Sequence, residues 1–348
     1  MSFFSPEAWT LTTSIVVFFV CAAVIGVAGT FMARIVDQLA DCTGIGEEIA
    51  GAVLMGAATS FSGMVLSVTA AWRGEPELAV SNALGGIAVQ TMFLAVADMF
   101  YRRANLEHAA ASVPNMLQNA LLMSLLSLIL LAPLLPEATF LGVHPVTALI
   151  FGLYIYGVRL ARAARIEPMW EPSQTRETRE DVPDDTLGMP SPGKLWTQFA
   201  VTLAAMGVAG WVLEPSAVNI ASQTGLGQSV VGVLFTATST SIPELVTSVA
   251  AVRRGALTLA VSGIIGGNAF DTLFTATSDI AYRDGSIYHT MSASSTMWIA
   301  LTLLMTAILM LGLIRRQEQG PGAIGFESAA ILVLYVCGVG LLLVTGTG

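Results

Sequence analysis

Ten apolar runs, each long enough to cross about 30 Å of hydrocarbon, recur along this chain. They fall near 10–33, 48–72, 78–101, 113–133, 144–164, 195–214, 226–252, 257–281, 291–313 and 323–344. A bilayer offers no water to bond backbone N–H and C=O groups, so such runs must satisfy themselves as helices. Only 11% of residues are charged against 54% hydrophobic, less than half the charge of an ordinary soluble domain. The expectation is an all-α integral membrane protein whose apolar bulk faces the lipid bilayer and neighbouring helices. A formal charge of -9 without a lysine–arginine stripe argues against nucleic acid as a partner. Cys21, Cys42 and Cys337 have neither metal-ligand spacing nor even pairing and read as helix-packing residues. The oligomeric state is left open.

The only long polar segment, RIEPMWEPSQTRETREDVPDDTLGMPSPGK, separates the fifth run from the sixth. Its proline and charge are those of a linker. The chain thus divides into an N-terminal half at 1–165, a linker at 166–193 and a C-terminal half at 194–348, with five spans on either side of the linker. Loops after odd-numbered spans hold thirteen basic residues: Arg34, Arg102, Arg103, Arg159, Arg162, Arg165, Arg176, Arg179, Lys194, Arg253, Arg254, Arg315 and Arg316. The other side holds two, Arg73 and Arg283. Basic residues stay on the cytoplasmic side, which predicts a multi-pass cell (inner) membrane protein with a cytoplasmic linker and both termini outside.

The chain is internally duplicated. At a constant offset of 181, residues 43–102 match 224–283 at 25 of 60 positions without a gap, keeping TG, TS, RG, LAVS, GG and YR in register. The copies start an odd number of spans apart, so they have opposite orientations. Inverted repeats of this kind build secondary transporters, with the binding site near the midplane where the repeats meet. Pro243 removes an amide donor within the seventh span and frees a carbonyl. The pairs Gly85–Gly86 and Gly266–Gly267 allow unwinding or close helix approach, although small-residue packing alone also explains such pairs.

Two acids lie deep in apolar runs. Glu244, in TSTSIPELVTS, is about eighteen residues into span seven, and Asp271 is about fifteen into span eight. An ionised carboxylate at that depth costs several kcal/mol unless a cation, a proton or a partner satisfies it. No lysine or arginine lies inside the four repeated spans to pair with them, which leaves a mobile cation, or else a pair of permanently protonated acids in helix–helix hydrogen bonds. Thr240, Ser241, Thr247 and Ser248 accompany Glu244, and Asn268, Thr275 and Ser278 accompany Asp271. The first repeat contributes Thr59, Ser60, Ser62, Asn82, Gln90 and Thr91. These oxygen donors suit hard cations, sodium or calcium, and not zinc or copper, and no other cofactor is expected. Asp98 and Asp279 are repeat mates, each four residues before an arginine (Arg102 and Arg283). That spacing predicts a structural salt bridge or helix-end anchor, or alternatively the mouth of an ion path.

SIPELVTS and GIIGGNAFD resemble the second signature repeat of the sodium/calcium exchanger (calcium/cation antiporter) superfamily. The resemblance implies ten transmembrane helices in two inverted-topology halves of five, and no enzyme activity. It implies a secondary active antiporter that exchanges calcium or another cation for sodium or protons by alternating access. Carried over by motif, Glu244 takes the glutamate of the second PE element, Ser241 the serine of its TS, and Asp271 the acid of the following helix. Thr240, Asn268, Gln90, Thr59 and Ser60 complete the implied cation site. The first repeat departs from the pattern: Gly63 replaces the glutamate, Ser62 the proline, and Gln90 the usual asparagine or aspartate. One half would then supply charge while the other supplies neutral oxygens and space. Those losses leave a second reading open, a degenerate, non-transporting homologue serving as a membrane sensor or assembly partner. An intramembrane enzyme using the two acids as a dyad lacks any supporting motif.

Overall fold

The computed structural model describes residues 9–43, 54–101, 103–173, 175, 190–320 and 324–345. Among the described residues each of the ten runs contributes a helix: α1 (Leu11–Thr43), α2 (Gly56–Thr59 and Phe61–Trp72), α3 (Pro76–Asp98), α4 (Val113–Leu131) and α5 (Pro145–Ile166). The second half follows with α6 (Pro192–Thr224), α7 (Gln228–Thr240 and Ile242–Arg254), α8 (Leu257–Ala281), α9 (Ala293–Arg315) and α10 (Phe326–Thr345). Most of the linker, residue 174 and residues 176–189, lies outside the described residues.

Burial sorts the helices by role. The most apolar windows of α3 and α8 are each 89% buried, against 28% for α5 and 33% for α10. The two repeat-mate helices therefore form the centre, crossing each other directly, and the outer helices turn side chains such as Val16, Phe19, Phe31, Leu149 and Val336 to lipid. Packing follows the duplication. Helix α4 lies on α8 as α9 lies on α3, α5 on α8 as α10 on α3, and α6 on α2 as α1 on α7.

The ends of the central helices establish the inversion. Asp98, at the end of α3, accepts from the N–H of Gly325, just before α10. Asp279, near the end of α8, accepts from the N–H of His144, just before α5. One end thus meets the junction of α9 and α10 and the other that of α4 and α5, on opposite faces of the bundle.

Both α2 and α7 break at the same repeat position, after Thr59 and after Thr240. In α7 the halves diverge by 44°. Pro243 cannot donate to the carbonyl four residues back, which accounts for the break in α7. Its mate is Ser62, so α2 breaks without a proline and the shape belongs to both repeats. Gly74 and Gly255, mates that end α2 and α7, have φ of +81° and +87°. That conformation favours glycine and lets each helix turn at once into the next.

Candidate functional site

The helix breaks put side chains from both repeats at the centre of the α3–α8 crossing. Gln90 Nε2 donates to Asp271 Oδ2 at 2.7 Å and to Ser241 Oγ at 3.2 Å. Gln90 and Asp271 are repeat mates, so this contact lies on the pseudo-twofold axis. Ser60, the mate of Ser241, donates to Glu244 Oε1 at 3.1 Å and also faces Asp271. Ser60, Gln90, Ser241, Glu244, Asn268 and Asp271 are all at most 3% exposed. Close backbone approach makes this possible. A Cβ on Gly86 would stand 3.3 Å from Asp271 Oδ2, and one on Gly267 the same distance from Gln90 Oε1. A Cβ on Gly56 would be 2.7 Å from the Gly267 nitrogen, so α2 and α8 touch through glycine backbone.

The centre has more acceptors than donors. Glu244 Oε2, Asp271 Oδ1, Gln90 Oε1 and Asn268 Oδ1 are buried without a hydrogen-bond partner. Orphaned buried oxygens of this kind each cost roughly 1–3 kcal/mol unless something supplies the missing donor or cation. The described ion pairs lie elsewhere, Arg73 with Glu214 and Arg315 with Glu327. An oxygen-only set with two carboxylates fits a hard cation or protons.

The remaining sequence candidates are placed differently. Asn268 donates to Thr91 Oγ1 at 2.9 Å, which aims its own oxygen. Thr91, one of the first-repeat oxygens expected from the sequence, matters here through that contact. The hydroxyls of Thr59 and Thr240 donate back to their own helices, to the carbonyls of Met55 and Thr236. Their oxygens keep lone pairs beside the breaks, and the Thr59 hydroxyl also faces Glu244.

Gly63 corrects one expectation. Its side of the centre is filled, because a Cβ there would meet the Phe274 ring at 2.9 Å and Thr240 Oγ1 at 3.4 Å. The aromatic ring occupies the volume a glutamate would need. The Gly63 carbonyl accepts from Asn82, which also donates to Ser67.

Asp98 and Asp279 anchor the helix ends. Asp98 accepts from the N–H groups of Leu106 (2.6 Å) and Gly325 (3.2 Å). Asp279 accepts from those of Ile287 (3.1 Å) and His144 (2.8 Å), and from Thr147 Oγ1 (2.7 Å). Leu106 and Ile287 are 181 apart, as are His144 and Gly325, so one device is built twice. The expected salt bridge from Asp279 to Arg283 does not form among the described residues. Backbone amides saturate the carboxylate and Arg283 is exposed. Arg102 lies outside the described residues.

The family model for the sodium/calcium exchanger protein matches residues 13–161 and 194–344. The chain belongs to the sodium/calcium exchanger family. That membership sets aside the intramembrane-enzyme reading. Among relatives of this family, the chain is 26% identical over 285 residues to the "Putative antiporter CaxA" of Alkalimonas amylolytica, covering 79% of this chain and 83% of that one. It is 27% identical over 230 residues to the "Inner membrane protein YrbG" of Escherichia coli (strain K12), covering 66% and 67%. A structure of the sodium-calcium exchanger NCX_Mj soaked with Na+ and Sr2+ superposes with a TM-score of 0.62 at 16% identity, over 95% of this chain and 99% of that one. The exchanger fold of ten helices in two inverted halves is therefore that of this chain.

Proposed function

We propose that this membrane protein is a secondary active cation antiporter in which Glu244 and Asp271 hold the transported ion by alternating access. The observation that supports it is the convergence of four unpartnered, buried acceptor oxygens, on Glu244, Asp271, Gln90 and Asn268, where the inverted repeats cross. Ser60 orients Glu244, and Gln90, which also donates to Ser241, orients Asp271. Family membership and the likeness to a putative antiporter agree with this reading.

The charge of the site limits its cargo. Two carboxylates neutralise one calcium-like divalent ion, two sodium ions, or one sodium ion and a proton. A load of larger charge leaves buried charge uncompensated, which is costly. The exchange we assign is therefore one divalent cation against two monovalent charges, sodium or protons. We also assign the linker to the cytoplasm, both termini to the outside of the cell (inner) membrane, and the halves to 1–165 and 194–348, from the thirteen-to-two distribution of basic residues.

The test is purified protein in sealed vesicles under sodium, potassium, calcium and proton gradients in turn, with Glu244→Gln alongside. Gradient-driven uptake abolished by Glu244→Gln supports the assignment. Uptake no greater than that of the variant under every gradient would establish the non-transporting homologue instead.

A further inference from the structure

Two grooves flank α1 and share one residue, Arg34. The larger, about 620 Å³, runs between α1, the end of α3 and the second half of α7. The smaller, about 410 Å³, lies between α1 and the start of α6. Their depth follows from the helix ends. Arg34 closes the apolar span Leu11–Val36, Phe100 stands two residues past α3, and Arg253 is the penultimate residue of α7. The mouth of the larger groove is thus where three helices leave the hydrocarbon, and its floor of Val96, Leu245 and Val249 runs back into the apolar layer.

The chemistry of this mouth is cationic. Arg34 and Arg253 are both exposed and both line the larger groove. The Arg253 guanidinium stands over the Phe100 ring, 5.0 Å from its centroid, which holds that charge at the rim. Among the described residues, no acid lines either groove. Two guanidiniums repel a cation, so this is a poor entry for the cargo of the central site. They match a phosphate, and the apolar floor matches an acyl chain.

We propose that the grooves around Arg34 form a binding site for one anionic glycerophospholipid, its phosphate on Arg34 and Arg253 and its acyl chains on either side of α1. Basic pockets between membrane helices at headgroup depth recognise lipids in this way. The site stands independently of the transport reading, although it adjoins it. Thr247 lines the larger groove and its hydroxyl donates to the Glu244 carbonyl at 3.0 Å. A bound lipid therefore rests against the segment of α7 that positions the central acid.

The experiment is native mass spectrometry of the full-length protein in detergent, titrated with phosphatidylglycerol or with phosphatidylcholine of identical chains. One phosphatidylglycerol should be retained about tenfold or more tightly than phosphatidylcholine. Arg34→Gln with Arg253→Gln should remove that preference, whereas Arg159→Gln, an exposed arginine on α5, should keep it. Ala250→Trp fills the larger groove with both arginines intact and should weaken retention as well. It keeps the question answerable if the double variant fails to fold. Equal retention of the two lipids, or undiminished retention by Ala250→Trp, would overturn the proposal. So would displacement of the lipid by millimolar inorganic phosphate, which would reveal a free-anion site.

Discussion

Helices α2 and α7 descend from one sequence and break at one position, yet only α7 has an acid beside its break. The difference lies in what fills the matching volume. Beside α7 the Glu244 carboxylate takes a hydrogen bond from Ser60, and beside α2 the Phe274 ring lies against Gly63. The same asymmetry recurs on the axis, where Gln90 of one repeat donates to Asp271 of the other. The first repeat thus lends its polar groups to the second repeat's charge, and the anionic half cannot be understood apart from the neutral one. The outer anchors teach the opposite lesson. Asp98 and Asp279 repeat the same backbone bonds nearly group for group, because closing a helix end makes the same demand on both faces.

The largest effect should come from the charged half. Glu244→Gln and Asp271→Asn should each reduce exchange to background while leaving the fold intact. The loss should exceed the roughly 10–100-fold that removing a supporting partner costs a metal site. Near-normal flux in either variant would break the comparison at its centre. Gln90→Leu tests the loan between repeats. Apparent cation affinity should fall roughly 10–100-fold with both acids present, as measured by the concentration dependence of uptake.

Gly63→Glu tests the filled volume. The substitution should cost about 1–3 kcal/mol through overpacking against Phe274, with no gain in divalent affinity. Combined with Phe274→Ala, it should raise divalent affinity and slow monovalent release. A single Gly63→Glu variant of unchanged stability and higher calcium affinity would show that the neutral half does have room.

The smallest effect on exchange belongs to the outer anchors, where one copy buries a glutamate and the other a tyrosine. Glu107 accepts from Ser328 at 2.8 Å, and its mate Tyr288 bonds Thr147, the mate of Ser328. Burial first, and then the Asp98 and Glu327 carboxylates, push the Glu107 pKa up to about 7 from an ordinary 4.5. Below about 4.5 the folded and unfolded chains are both protonated and no stability is lost. As pH rises toward 7 the unfolded chain gives up its proton while the folded chain keeps it, so stability falls until the folded pKa is passed. Glu107→Gln should abolish that fall. Its thermal unfolding should match the parent near pH 4.5 and exceed it above pH 7, by about 3 kcal/mol. Exchange should be little changed.

Much of this was legible in the residues. Apolar length gave the ten helices, the offset of 181 gave the inversion, and depth within the runs singled out Glu244 and Asp271. Other features depend on distances that spacing does not encode. Nothing in the sequence around Phe274 says that its ring reaches Gly63, and the i, i+4 spacing of Asp279 and Arg283 hid a carboxylate already saturated by backbone amides. The anchors could have been found by extending the offset beyond the matched repeats, since His144 and Gly325, and Thr147 and Ser328, also keep it. The residue type of Thr59 and Thr240 shows that they carry oxygens, but only the structure shows that their protons go to the carbonyls of Met55 and Thr236.

A centre with two carboxylates and no third charge should exchange without moving net charge. The direct measurement is calcium uptake into vesicles preloaded with the coupling cation, with the membrane potential clamped at several values by potassium and valinomycin. Uptake independent of potential, and lost in Glu244→Gln, is the expected result. A rate that changes steeply and systematically with potential would mean that a larger charge crosses than Glu244 and Asp271 can neutralise, and would contradict the two-carboxylate site.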